Sequence, residues 1–341
     1  MKLPDLRNFD LKKKRVLVRL DLDTPLRDGQ VEDDTRLKEG LPTIDYLRTQ
    51  AETLVLLGHL GRPEGRVVLE LALEPVARRL KELLGKSGEI ERVLLGDFVA
   101  YKISENIFLL ENLRFDKGEE ENKREFAERL ARLGDFYVNE AFATSHREHA
   151  SIVGVPKILP HGAGLHFMAE VENLSKVFER PKRPLVFVIG GAKPETKLPM
   201  VEKFAKIADC VLVGGDLVKC EEFAVLKSKF RGVIGAKLRR DGLDINRESG
   251  RKFVEIIEKA GTVVWNGPVG KYEEEKFAAG TRQIARAIAR SSAYKVAGGG
   301  DTIAFLQKNN LVDRMNWVST GGGAMLEFLA EGTLPGIEVL R

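Results

Sequence analysis

The chain has 341 residues, more than one ordinary domain holds and about what two require, with 43% apolar and 31% charged residues in a globular balance. No apolar run approaches the ~18 residues of a membrane span, and the opening MKLPDLRNFDLKKK lacks the apolar stretch of a secretion signal, so a cytoplasmic protein without a membrane partner is expected. Fifty-five Lys and Arg against 51 Asp and Glu leave a net charge of only +4, not the surplus of a nucleic-acid binder, and two cysteines exclude a disulfide scaffold and a Cys-rich metal site. Cys210 and Cys220 read as reduced core residues.

In chain order, short apolar runs alternate with amphipathic stretches. Strands are expected at 15–20, 53–57, 107–110, 135–138, 185–189, 210–213, 262–265 and 294–297. Most are continuous apolar runs, the pattern of parallel strands covered on both faces. Between them, Leu73, Val76, Ala77, Leu80 and Leu84 recur at helical spacing, as do Phe277, Thr281, Ile284 and Ile288. The segment 163–184 reads as a helix closed by two prolines. The pattern predicts an α/β protein of two lobes with parallel sheets joined by a helix.

The two halves differ in the residues at the end of each strand. Second-half strands end in glycine: Gly190-Gly191, Gly214-Gly215, Asn266-Gly267-Pro268, Gly298-Gly299-Gly300 and Gly321-Gly322-Gly323. First-half strands end in charge: Asp21 and Asp23, His59 and Arg62, Arg114, then His146, Arg147 and His149. Ligands of open α/β sheets bind beyond the carboxyl ends of the strands. Gly turns let backbone N–H groups and a helix dipole face an anion. Neither GxxxxGK[ST] nor a GxGxxG after a strand occurs, so another phosphate fold is implied, and a dinucleotide-dependent oxidoreductase is disfavoured. Lys193 and Lys197 in GGAKPETK suit a transferring phosphoryl group or a solvated helix face. Asp301 suits a helix N-cap or a Mg²⁺ ligand beside phosphates. Arg36, Arg62, Arg114 and Arg147 with His59 and His146 would form a basket for a small ligand bearing phosphate and carboxylate. Metal binding by His146 and His149 lacks a third ligand.

The strings DLDTPLRDGQVEDDTRLKEGLPTIDYL, LLGHLGRP, FLLENLRF, NEAFATSHREHAS, VIGGAKPETK, VVWNGPVGKYE, VAGGGDT and VSTGGGAMLEFL, in this order, resemble phosphoglycerate kinases along the whole chain. The resemblance implies two Rossmann-like lobes with a hinge helix. It implies reversible in-line phosphoryl transfer between 1,3-bisphosphoglycerate and Mg-ADP, giving 3-phosphoglycerate and Mg-ATP, by a monomer that bends to close. The alternative is a weakly active relative that binds phospho-ligands in a regulatory or scaffold role. The implied domains are 1–162 for phosphoglycerate, with 327–341 packing back on it, a linker helix at 163–180, and 181–326 for nucleotide. Glycerate-side contacts fall on Asp21, Asp23, Arg36, His59, Arg62, Arg114 and Arg147. Nucleotide contacts fall on Gly191, Lys193, Lys197, Gly214, Gly215, Asn266, Pro268, Glu273, Gly298, Gly299, Gly300, Asp301 and Thr302. Of these, Arg36, Lys193, Gly299 and Gly300 would act on the transferring group, and Asp301 would hold Mg²⁺.

This chain departs from the family pattern at several positions. Asp23 stands where the family has Asn, Pro194 where Val is usual, Gly214-Gly215-Asp216 where there are three glycines, and Met325 in place of a small polar residue. Asp23 cannot donate and brings negative charge toward an anionic ligand, so an Asn there is expected to bind 3-phosphoglycerate more tightly unless an Arg compensates. The chain is also shorter than typical members, mostly between Cys210 and Thr262.

Overall fold

The computed structural model describes residues 2–341. They form two compact units: the chain up to Val171 together with Thr333–Arg341, and Glu172–Gly332. The division falls inside the helix Leu165–Phe178.

The first unit carries β1 (Arg15–Arg19), β2 (Leu26–Arg27), β3 (Gln30–Val31), β4 (Thr53–Leu57), β5 (Glu91–Leu95), β6 (Phe98–Ser104), β7 (Ile107–Leu110), β8 (Phe136–Asn139) and β9 (His161–Ala163). Its seven-stranded sheet runs β5-β6-β7-β4-β1-β8-β9, while β2 and β3 form a separate ribbon. From β7 to β9 every pairing is parallel, with Val16 beside Leu54 and Phe136. At the other edge β5, β6 and β7 pair antiparallel, so the sheet is mixed rather than wholly parallel. The turn Gly96-Asp97, with Gly96 at φ +58°, makes the β5–β6 hairpin. Val16, Val18, Leu54, Leu56 and Leu109 pack against Leu37, Ile44 and Leu47 of the helix Thr35–Leu47 and Val76 and Leu80 of the helix Glu74–Leu83.

The second unit carries β10 (Leu185–Ile189), β11 (Cys210–Val213), β12 (Val233–Gly235), β13 (Thr262–Asn266), β14 (Tyr294–Gly298) and β15 (Trp317–Ser319). All pairings are parallel, in the order β12-β11-β10-β13-β14-β15. Every residue of β10 and β13 is buried, which is why these strands read as continuous apolar runs. Val186, Val188 and Trp265 meet Phe253 and Ile257 from the helix Arg247–Glu258 and Ile284 and Ile288 from the helix Ala279–Arg290.

In each unit the first strand lies in the middle, and the chain moves outward on one side before crossing to the other. That is the doubly wound order. The direction reverses between β1 and β8 in the first unit and between β10 and β13 in the second. The crevice beyond the carboxyl ends of those strand pairs is where such sheets receive ligands. Neither cysteine is a full core residue: Cys210 and Cys220 are free and only part-buried. No helix of the described residues is long and apolar enough to cross a membrane.

Candidate active site

In the first unit, the loops beyond the strand ends are laced together by carboxylates. Asp21, just past β1, accepts from the Ala143 backbone N–H (2.8 Å) and the Thr144 hydroxyl (2.9 Å) in the loop after β8. Asp23 Oδ1 accepts from the Gly61 N–H (2.9 Å) in the loop after β4. Arg36, at the start of the helix Thr35–Leu47, donates to the Asp23 backbone carbonyl (2.8 Å), and its Nη1 lies 3.9 Å from Asp23 Oδ2. Arg114, beyond β7, donates to the Gly61 carbonyl (2.8 Å) while its Nε stands 3.3 Å from Glu120. Asp21, Asp23, Arg36, His59 and Arg114 therefore belong to one set of interlocked loops. Arg62 and Arg147 extend from the same loops into solvent.

The histidines do not add charge to this basket. Burial, then Arg19 and Arg114, holds His59 well below its ordinary pKa. Burial likewise brings His146 to about 4 and His149 to about 3. At neutral pH the positive charge comes from arginines and not from the histidines: Arg36, Arg62, Arg114 and Arg147 in the loops, with the buried Arg19 against His59. His149 Nδ1 lies 3.8 Å from Glu119, and among the described residues no three His, Cys, Asp or Glu side chains group as a metal site.

Residues not singled out from sequence lie beneath the basket. Arg19, at the end of β1, is fully buried and contacts Ser151 and His59. An arginine closing the apolar core VLV at the carboxyl end of β1 was the available signal. Glu140, one residue past β8, is buried and accepts from Thr43 Oγ1 (2.5 Å) and from the N–H groups of His166 (3.1 Å) and Phe167 (2.9 Å), which open the helix Leu165–Phe178.

In the second unit the glycine turns close on one another. The Gly190 N–H donates to the Asn266 carbonyl, Gly215 N–H to Val269, and Asp216 N–H to Gly191. A Cβ at Gly190 would stand 2.1 Å from the Pro268 carbonyl oxygen, so only glycine lets these turns approach. Asn266 Nδ2 donates to the Gly298 carbonyl (2.9 Å), and Thr302 Oγ1 accepts from the Gly267 N–H (2.7 Å). Gly299, at φ +94°, caps the helix Gly300–Lys308, whose first turn holds Asp301. Lys193 sits at the N-cap of the helix Pro194–Phe204 with its side chain exposed. Lys197, one turn on, donates to the Gly190 carbonyl, and burial brings its pKa down to about 8 against the pull of Asp301. Tyr272 is raised to about 12, chiefly by burial and then by Asp301. Pro268 is buried between the turns, while Glu273, next in sequence to Tyr272, is exposed. Met325 packs on Gly298: a Cβ there would meet its sulfur at 2.5 Å.

The two doubly wound units with these strand ends have the form of a known family. The phosphoglycerate kinase family model matches residues 6–228 and 218–332. The chain belongs to the phosphoglycerate kinase family. The phosphoglycerate kinase of Borrelia hermsii is 37% identical over the whole of both chains, and that of Dictyoglomus turgidum is 40% identical over 99% of this chain and 98% of its own. Solved phosphoglycerate kinases from Coxiella burnetii (TM-score 0.83, 36% identity, 99% of each chain) and Pyrococcus horikoshii (0.82, 32%, 99% of this chain and 98% of its own) share the fold. The alignment to the Borrelia hermsii enzyme runs over 391 residues, so that relative carries segments this 341-residue chain lacks. Phosphoglycerate kinases are phosphotransferases with a carboxyl group as acceptor, and this chain is one of them.

Proposed function

We propose that this chain carries out its family's reversible phosphoryl transfer, between 1,3-bisphosphoglycerate and ADP, with the glycerate on the first unit and the nucleotide on the second. The observation that carries the assignment of ligands to units is the contrast at the strand ends. The first unit presents arginines over interlocked loops, and the second presents close-packed Gly turns and helix N-termini. Arginine forks suit phosphate and carboxylate; bare backbone N–H groups suit a polyphosphate chain.

Phosphoryl transfer asks for alignment and charge neutralisation rather than a covalent group on the protein. Arg36 and Lys193 stabilise the equatorial oxygens of the transferring group, and the N–H groups of Gly299 and Gly300 meet it from the helix start. Arg62, Arg114 and Arg147 hold the phosphate and carboxylate of the glycerate, Asp21 and Asp23 hold its loops, and His59 contributes a neutral ring. Lys197 and the turns at Gly191, Gly214, Gly215, Gly298 and Thr302 hold the ADP phosphates. Asn266 and Pro268 shape their floor, and Glu273 takes the ribose. The exposed carboxylate of Asp301, in the first turn of its helix, fits Mg²⁺, which takes one or two carboxylates together with substrate phosphates. When bound, Mg²⁺ supplies charge neutralisation on the phosphates. Closure of two such units excludes water from the acyl phosphate. Arg36, Lys193 and Asp301 are all retained, which supports turnover over a phospho-ligand-binding relative without it.

A coupled assay of ATP formation from 1,3-bisphosphoglycerate and ADP tests the reading. Arg36→Ala lowers kcat by more than it raises KM, because its contact strengthens as charge develops on the transferring group. A change in KM alone would make Arg36 an ordinary binding residue, and no turnover in the wild type at millimolar substrate would leave only a phospho-ligand binder.

A further inference from the structure

Three loops and a strand end meet at one buried guanidinium. Arg19 has no exposed surface. Its Nε donates to Ser151 Oγ (2.8 Å), its Nη1 to the Leu20 carbonyl, and its Nη2 lies 2.9 Å from His59 Nδ1. A guanidinium has donors only and stays protonated, so His59 Nδ1 must be the acceptor. The ring proton then sits on Nε2. That nitrogen makes no hydrogen bond among the described residues, and it is not sealed from solvent as the Nδ1 atoms of His146 and His149 are.

The same logic orients the other side of Arg19. Ser151 Oγ accepts from Arg19, so its single proton goes to Glu119 Oε1 (2.6 Å), and the Ser151 N–H reaches Glu119 Oε2 (2.9 Å). Glu119 is fully buried, on the short helix Lys117–Glu120. Burial raises the pKa of Glu119 while Arg19 and the Ser151 hydrogen bonds pull it down, and Ser151 is the link between the two buried groups, so removing it would leave both without a partner. The direction of every proton in Glu119–Ser151–Arg19–His59 is therefore set.

We propose that Arg19, backed by Ser151 and Glu119, is a positioning residue that locks His59 as the tautomer with bare Nδ1 and protonated Nε2, so that the ring offers an N–H donor to the anionic ligand. The proposal rests on the reading of His59 as a glycerate-side contact. The groups that face His59 are Arg19, Arg114, His149 and Arg36, three of them cationic, and none of these favours an imidazolium. A neutral ring gives the site a directional donor whose state does not change across physiological pH. Arg19 itself touches no ligand, since its nitrogens are turned inward.

Nitrogen-15 NMR of ring-labelled histidine decides the tautomer. In the wild type, His59 shows a protonated Nε2 and a bare Nδ1 from pH 5 to 8, with no titration step. Arg19→Lys, which replaces the planar fork fixed on both Ser151 Oγ and His59 Nδ1 by one mobile ammonium, is expected to spread the proton over both ring nitrogens. It raises KM for 3-phosphoglycerate about tenfold and leaves KM for ADP and kcat within twofold. A wild-type ring protonated at Nδ1, or one that titrates between pH 5 and 8, overturns the proposal even if the variant does not fold. So does a folded Arg19→Lys protein with unchanged ring signals. If the tautomer is as stated but His59→Ala leaves KM for 3-phosphoglycerate unchanged, the placement of the glycerate fails and the tautomer assignment stands.

Discussion

At the scale of single residues, Asp23 is the substitution whose meaning the geometry changes. Read as a bare carboxylate near an anionic ligand, it costs affinity. In the folded chain it already accepts from Gly61 N–H and lies 3.9 Å from the Arg36 guanidinium. Both partners keep about a third or more of their side-chain surface, so the pair is worth under about 1 kcal/mol. Because the carboxylate is hydrogen-bonded, near a guanidinium and partly exposed to solvent, which screens its charge, Asp23→Asn is expected to tighten 3-phosphoglycerate binding by no more than about fivefold. Titration calorimetry on the two proteins checks this, and a tenfold or larger gain would show that Arg36 does not neutralise the carboxylate. Lys197 gives a second test. Burial brings it down to about 8, so in the free enzyme its charge fades as pH rises through that value. ADP affinity should fall between pH 7 and pH 9, and Lys197→Arg, which cannot lose its proton, should flatten that profile. An unchanged slope in the variant would assign the titration to another group.

At the scale of elements, the start of the helix Leu165–Phe178 is held by a side chain from elsewhere in the chain. Its first N–H groups have no partners within the helix. Glu140 takes those of His166 and Phe167, and Thr43 Oγ1 takes that of Leu165 while donating to Glu140. The space depends on Gly164, where a Cβ would stand 2.1 Å from Glu140 Oε2. Glu140→Gln turns an amide toward three donors and should destabilise the first unit by about 3 kcal/mol in denaturant titrations. Burial raises Glu140 from its ordinary 4.5 to about 7. The folded state thus binds this proton more readily than the unfolded one, and the stability so gained is full below about pH 4.5 and lost as pH rises through about 7. The deficit of the Gln variant is then largest near pH 5 and narrows toward pH 8. A deficit that widens over that range would mean that the three donors, not burial, set the group's pKa.

At the scale of the whole molecule, the last nine residues rejoin the unit that the chain left at Val171. Leu334, Ile337 and Leu340 are almost wholly buried there, and the Gly336 N–H donates to the Ser145 carbonyl (2.9 Å) in the loop after β8. Truncating a buried Ile to Ala costs about 2–4 kcal/mol. Ile337→Ala should lose that much stability and weaken 3-phosphoglycerate binding, because the loop it supports also holds Asp21. ADP affinity, measured on the same preparation, should stay within twofold. An equal loss for both ligands would contradict the separation of the two sites.

The class of fold, the main parallel strands and the contrast between cationic and glycine-ended strand tips are all legible in the residues alone. Burial on both faces leaves a continuous apolar run, and a backbone that must approach a phosphate leaves glycine; both are local marks. The edge hairpin β5–β6 is not legible in this way, because its partly exposed strands lack such a run, although Gly96-Asp97 marks its turn. The three-residue strands β12 and β15 are too short for any period to declare itself. Which polar residues meet depends on the packed chain. Arg19 and Ser151 are 132 residues apart and Thr43 and Glu140 are 97 apart, and nothing local in either pair signals the other. The charge state of the histidines belongs with these: desolvation and neighbouring guanidinium groups set it, and both exist only once the loops have closed over the strand ends.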